Sequence, residues 1–598
     1  MKYLLASAMV FFSTQISAMD ETSYKVSFEN AAHHEARISA TFTDIEGDTL
    51  RVRMSRSSPG RYALHEFAKN VYSVSAVDST GKKLQISRPN PYAWDITGFK
   101  GDVTVTYTLF ADRADGTYSQ VDRTHAHLNI PATFMWAVGH KNRPVTVSFK
   151  PFNENWKVAT QLPKTDDPYA FTAPNLYYFM DSPIELSNHS VREWVINGKT
   201  LKLAVHHNGT EDEMDEYAAQ AEAVTNAQKA IYGDVPDFDY GEYVFIACYM
   251  PQVNGDGMEH RNSTIITSTA SLKRANYAQI GTLSHEFFHA WNVERIRPKS
   301  LEPFDFTKAN MSEALWFAEG FTSYYGPLTI KRAGLTTVDD FINNLSGFLN
   351  YSVNVTGRLY KSPEESSKMA AFTDAGTSID RDNFTNIFFS YYTYGQSVAL
   401  ALDLKIRADY KGKSLDGFMQ KMWVDYGQPE KPYTRDDLIA TLGEYLGDKK
   451  FANRFFSQYI VGKEIPNYAE LVKPAGLMIT HPRKEEAYIG NFQITFKDGV
   501  GTVGSQMKVN LPIYQSGLER NDKIISLNGT AIKSEEDWRA AVATLEIGVQ
   551  AEVTYISNGA TITGHVTPIS DPTIQLSRIP AEDATSAQKA FLSAWLGD

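Results

Sequence analysis

One cysteine, Cys248, stands in the whole chain. It excludes an intramolecular disulfide framework and any cysteine-rich metal site. Within VFIACYM it reads as a small buried hydrophobe. No apolar run beyond the N-terminus is long enough to cross a bilayer. No block of like charge interrupts the sequence, and its net charge is −12. General nucleic-acid binding needs a basic footprint, and this mild acidity argues against it. Internal repeats and low-complexity tracts are also missing, which removes solenoids and disordered scaffolds.

Aromatic residues, by contrast, are plentiful, with 32 Tyr, 33 Phe and 9 Trp in 598 residues. Such a chain buries several cores, and its length suggests three or four domains. At the N-terminus, Lys2 precedes the apolar run YLLASAMVFF at 3–12, and Ile16-Ser17-Ala18 follows as a small-residue cleavage site. Residues 1–18 are therefore expected to be an export signal, placing the mature protein in a periplasm or outside the cell.

Texture divides the remainder. Residues 19–200 alternate with period two, as in ARISATFTD and DVTVTYTLF, and predict a β-sheet domain. Residues 201–470 read as mainly helical. The expected helices include Glu211 to the stop at Gly233, residues 278–294, residues 312–332 capped by Ser312, and residues 434–461. Residues 475–570 mix short strands with one helix, SEEDWRAAVATL, and predict a small separate domain. The tail, 571–598, carries no motif beyond a short terminal helix. The expected fold class is thus α+β multidomain: a β-sheet domain, a mainly α-helical domain and a small C-terminal domain.

Chemistry concentrates in SHEFFHAWNVERIRP, at 284–298. His285 and His289 are four residues apart and share one helix face. Two neutral imidazoles at that spacing can hold one Zn²⁺. Glu286 lies about 100° around the helix. From there it can address a water instead of the metal. Phe287, Phe288, Ala290 and Trp291 make the helix apolar nearly all round. A buried helix with two histidines and a glutamate needs compensation for them, and a metal supplies it. Glu319, in LWFAEGFTSYYG, is the candidate third ligand for the same reason. Glu313 is its rival, but a carboxylate near a helix start is explained by the macrodipole alone. Pro298 and Pro303 let the chain reverse between the two helices.

H-E-x-x-H followed by W-x-x-E-G-F-x-S resembles the gluzincin metallopeptidases. The thirty positions from His289 to Glu319 exceed the thermolysin-like spacing. They match the glycyl aminopeptidase family, whose members add a PDZ domain. HEFFHAWN with RIRP is very close to that family's signature, and SPGRYALHEFAKNV at 58–71 resembles part of its N-terminal β domain. The resemblance covers nearly all of the mature chain. It implies a thermolysin-like catalytic domain, one catalytic Zn²⁺ and release of N-terminal residues, Gly or Ala, from peptides with a free amino end.

NGDGMEH, at 254–260, resembles the G-x-M-E-N stretch of aminopeptidases of the leukotriene-hydrolase type, with His260 in place of Asn. That resemblance implies that Glu259 holds the substrate's amino group and that Gly257 and Met258 present backbone groups to it. SYYTYGQSVALALDL, at 390–404, resembles the segment carrying the oxyanion-stabilising Tyr. Tyr392 fits best, with Tyr391 and Tyr394 as rivals. SGLERNDKIISLNGTAI, at 516–532, resembles a PDZ pattern, which implies a peptide ligand added to a sheet edge. The expected carboxylate loop is at Tyr488-Ile489-Gly490. Two other readings are an endopeptidase, and a PDZ-based peptide-binding or chaperone-like protein with a non-catalytic metal site.

Overall fold

The computed structural model describes residues 20–373 and 383–597, so the expected export signal lies outside the described residues. From Thr22 to Ser187 the chain forms one six-stranded and two four-stranded sheets. Alternation is the cause. Glu35–Ile45 buries Ala36, Ile38, Ala40 and Phe42 and turns Arg37, Ser39 and Thr41 to the other face. Gly101–Phe110 pairs with it antiparallel, Ile38 opposite Tyr107, and their apolar faces enter one core.

The next unit holds a mixed five-stranded sheet. Its strands are β1 (Ser190–Ile196), β2 (Lys199–His207), β3 (Glu242–Tyr249), β4 (Asp256–His260) and β5 (Ser263–Ser268), in the order β1-β2-β3-β5-β4. Residue 200, expected as a domain boundary, falls inside β2. The β1–β2 hairpin joins β3 in parallel, so the change of unit comes between Ser187 and Ser190. Alternation reveals a strand but not which sheet it enters.

Four helices frame the functional region. α1 (Glu211–Tyr232) starts at a Thr210/Glu213 capping box and stops at Gly233, whose φ is 90°. α2 (Ile280–Phe288) is shorter than the expected 278–294. Beyond it the Asn292 amide donates to the carbonyls of Phe317 and Ala318, at 3.1 Å each, and pulls the chain off the helical path. α3 (Leu315–Arg332) begins three residues after Ser312. The Ser312 hydroxyl accepts from the Ala314 N–H in a turn instead of capping the helix. α4 (Tyr391–Asp409) starts at its Ser390 cap. The expected 434–461 helix is two, Arg435–Leu446 and Lys449–Tyr459, broken at Gly447 with φ 74°.

α3 and α4 cross at Gly320 and Gly395. A Cβ on Gly320 would lie 2.4 Å from Gly395 Cα, and one on Gly395 would lie 2.3 Å from the Trp316 carbonyl. Only glycines permit this approach.

After Leu477 a small sheet of Ile494–Lys497, Val500–Val503, Lys523–Leu527, Ala551–Ser557 and Ala560–Val566 packs with the helix Glu535–Ala543 around its own core. Asn386 ties this unit to the helical unit, donating to Met507 O at 3.0 Å and accepting from Val509 N at 2.8 Å. The stretch expected as a tail is integrated. Gln575–Arg578 pairs with Leu477–Thr480, and Ser586–Leu596 is a helix that buries Trp595 and Leu596 in the main helical core. No helix among the described residues is long and apolar enough to cross a membrane.

Candidate active site

α2 and α3 run side by side, locked where Ser284 Oγ donates to Gly326 O at 2.9 Å. The pairing brings together the three expected ligands. His285 Nε2 and His289 Nε2 are 3.1 Å apart, and Glu319 Oε2 is 3.5 and 3.2 Å from them. Ligand atoms about 2.0–2.1 Å from a tetrahedral zinc stand about 3.3 Å from one another. The triad therefore has the spacing and the donor types of a zinc site with one open position. Glu313 belongs to no metal-ligating cluster among the described residues.

Supporting contacts fix the ligands. His289 Nδ1 donates to the Asn292 carbonyl at 2.6 Å, which leaves the Nε2 lone pair facing the metal position. Asn292 Nδ2 also reaches Thr322 Oγ1 at 3.3 Å. Glu319 Oε1, turned away from the histidines, accepts from the Tyr62 hydroxyl at 2.8 Å. Tyr62 belongs to the N-terminal unit, within the 58–71 segment. Sequence reading noticed that segment as a resemblance without assigning the tyrosine a role. It missed Asn292 and Thr322 as well, since contacts to backbone carbonyls leave no motif.

Opposite the triad lies β4. Glu259 and Glu286 come within 4.8 Å of each other and of His289. Both are buried, at 5% and 6% exposure, and Glu319 is at 2%. Burial, reinforced by Glu319 and opposed by His289, pushes the Glu259 carboxyl up to about 7. Burial also pushes Glu286 well above the usual carboxylate range. In His289 burial disfavours the charged ring, but Glu319 and Glu259 outweigh it and hold the pKa up at about 10. Three buried carboxylates around two histidines amount to an excess of negative charge that calls for cations.

Gly257 and Met258 lie where β4 meets both units. A Cβ on Gly257 would come within 2.3 Å of Glu286 Oε1. Met258 is buried beneath Gly60, whose added Cβ would strike its sulfur at 2.1 Å and Glu259 Oε2 at 2.8 Å. Arg61 pairs with Asp256 at 2.5 Å and donates to Thr117 Oγ1 at 2.8 Å, which clamps the N-terminal unit over β4. His260 turns away, with Nδ1 2.9 Å from Asp181 Oδ1.

The three tyrosines part company. Tyr394 packs in the helical core against Phe389, and Tyr391 packs on Tyr62. Tyr392 is half-buried with its ring 6.1 Å from that of His285. It lines a cavity of about 290 Å³ shared with Gly60, Arg61, Gly257, Glu259, Glu286 and the triad.

Two family models match the chain: the Peptidase M61 N-terminal domain at residues 23–188 and M61 glycyl aminopeptidase at residues 278–398. Among solved structures, an aminopeptidase N family protein from Idiomarina loihiensis shares the fold at 22% identity and a TM-score of 0.83, over 96% of this chain and 100% of that one. An M1 zinc metallopeptidase from Deinococcus radiodurans aligns at 12% identity and a TM-score of 0.44, over 75% of this chain and 95% of that one. Comparison with curated proteins gives no match. Fold and site together define a metallopeptidase of the aminopeptidase class. The M61 glycyl aminopeptidase family is the one its two matched regions resemble, as the HEFFHAWN and SPGRYALHEFAKNV segments within them led us to expect.

Proposed function

We propose that the protein is a zinc aminopeptidase that removes small N-terminal residues, Gly or Ala, from peptides. One observation carries this reading: three buried carboxylates, Glu259, Glu286 and Glu319, line one cavity and call for positive charge there. A substrate ammonium supplies that charge and fixes the distance from the amino end to the bond cut. The match to the M61 glycyl aminopeptidase model supports a small first residue.

His285, His289 and Glu319 would hold the zinc. A bound zinc ion polarises the scissile carbonyl and acidifies water in this setting. Glu286 takes the proton of the attacking water and returns it to the leaving amine. Burial raises its pKa, which favours taking up that proton. The Tyr392 hydroxyl donates to the oxyanion that develops on the carbonyl oxygen. Gly257 and Met258 bring backbone groups alongside the substrate. Glu286→Gln should bind metal normally and lose about 10²–10⁴ in kcat.

The C-terminal unit is a PDZ-type module that positions peptides. In support, Tyr488, at the end of the strand Ala487–Tyr488, borders a cavity of about 550 Å³ between that unit and Asn350–Val355. Residues 1–18 direct export to a periplasm or the exterior.

The deciding assay compares free and N-acetylated peptides on wild type and Glu259→Ala. The expected result is cleavage of free peptides only, most of it lost in the variant. Equal rates on both substrates would overturn the aminopeptidase reading in favour of an endopeptidase. Absence of cleavage with metal bound would favour a peptide-binding role.

A further inference from the structure

Cys248, expected to be an inert core residue, has three unexpected neighbours. It lies on β3 at the register partner of His206 on β2. Across the boundary between the two units stand His125, on His125–Leu128, and Glu185, on Ile184–Ser187, two adjacent strands of the N-terminal unit. All four residues are buried, none more than 6% exposed. His125 Nδ1 is 3.2 Å from Glu185 Oε1 and 3.4 Å from Cys248 Sγ. His206 Nδ1 is 3.3 Å from Cys248 Sγ and 3.6 Å from Glu185 Oε1. One ligand atom from each falls within 4.8 Å of every other.

We propose that these four residues form a second metal site, structural in role, for a divalent ion of the zinc type, clipping the N-terminal unit to the five-stranded sheet. In a tetrahedral site with bonds of about 2.0–2.3 Å, the ligand atoms stand about 3.3–3.6 Å apart. The four separations above, 3.2–3.6 Å, lie close to that spacing. Four protein ligands close the site to water and leave no position for a substrate, as in structural zinc centres. Thiolate and carboxylate together carry the two negative charges that a buried divalent ion needs.

The surrounding hydrogen bonds prepare the ligands. Gln120 Nε2 donates to Asp112 Oδ1 and to Gln252 O, both at 3.3 Å, which turns Gln120 Oε1 towards His125. His125 Nε2 donates to that oxygen at 3.0 Å, so a neutral His125 presents its Nδ1 lone pair inwards. His127 lies between Glu185 Oε2, 3.0 Å from its Nδ1, and Asp115 O, 2.9 Å from its Nε2, leaving Glu185 Oε1 aimed at the cluster. With no ion, the same atoms form a hydrogen-bonded His125–Glu185 pair at 3.2 Å.

A single cysteine makes the test selective. Cobalt replaces zinc in such sites and gives a thiolate-to-metal charge-transfer band in the near ultraviolet. The catalytic triad has no sulfur, so any such band reports Cys248 alone. Full-length wild type saturated with cobalt should bind two equivalents per chain and show the band. Cys248→Ser should lose the band and one equivalent while keeping the weaker absorption of the catalytic ion. The wild-type spectrum decides the matter even if the variant fails to fold. Absence of the band at saturation overturns the proposal, whatever the stoichiometry, and leaves a hydrogen-bonded cluster.

Discussion

Tyr62 donates its hydroxyl to Glu319 Oε1 at 2.8 Å, so a residue of the N-terminal sheet unit holds a candidate metal ligand of the helical unit. Both groups are buried. Tyr62→Phe keeps the ring and its packing on Tyr391 but leaves the Glu319 oxygen without its donor. Loss of such an outer partner costs about 10- to 100-fold in metal affinity or activity. Chelator competition should show the loss, with the thermal midpoint changed far less.

Gly320 sets where α4 crosses α3, and through that crossing where Tyr392 stands. Gly320→Ala places a methyl 2.4 Å from Gly395 Cα, against backbone that cannot swing aside. The helices must separate, at a cost of about 1–3 kcal/mol or more. Denaturant unfolding should show the destabilisation. kcat should fall alongside, since the hydroxyl of Tyr392 moves with its helix.

What the sequence disclosed followed from periodicity and burial. His285 and His289 share a face because four residues make about one turn, and apolar flanks made those histidines and Glu319 costly without a metal. Glu259 and Tyr392 came from resemblance, and the fold brings both to one cavity with the triad. Contacts between distant segments were hidden. Tyr62 lies 257 residues from Glu319, and His125 lies 123 from Cys248. The crossing of Gly320 with Gly395 and the entry of β2 into its sheet likewise depend on tertiary packing, which local patterns do not encode.

The C-terminal helix is a structural latch. Trp595 is wholly buried, and its Nε1 donates to the Tyr324 hydroxyl at 2.8 Å, which itself donates to Asp403 at 2.7 Å. Trp595→Ala removes a large core side chain and costs about 3–5 kcal/mol. Thermal unfolding should register the loss, while the metal content of the folded fraction stays at the wild-type value.

Asp416 makes the same region acid-sensitive. Burial opposes its charge, but Arg332 and Arg407, each with a guanidinium nitrogen 3.0 Å from Asp416 Oδ2, outweigh that and hold its carboxyl below the usual value. A carboxyl depressed in the folded state stabilises the fold above its unfolded pKa of about 3.9. That stabilisation disappears as pH falls through the lower folded value. Asp416→Asn should be less stable at neutral pH and should lose less stability on acidification. Thermal midpoints measured from neutrality down to about pH 3 would show the two curves converging.

Gly257 separates positioning of the base from metal binding. A Cβ there would meet Glu286 Oε1 at 2.3 Å and Thr282 Cγ2 at 2.6 Å. The carboxylate end of Glu286 is the part able to move, so Gly257→Ala should displace the proposed base while the triad keeps its geometry. A shift of about 1 Å in a catalytic group costs on the order of 10²-fold in rate. kcat should therefore fall by about that factor, with zinc content unchanged by elemental analysis. A variant with wild-type kcat would show that Glu286 does not act from the position it occupies against Gly257.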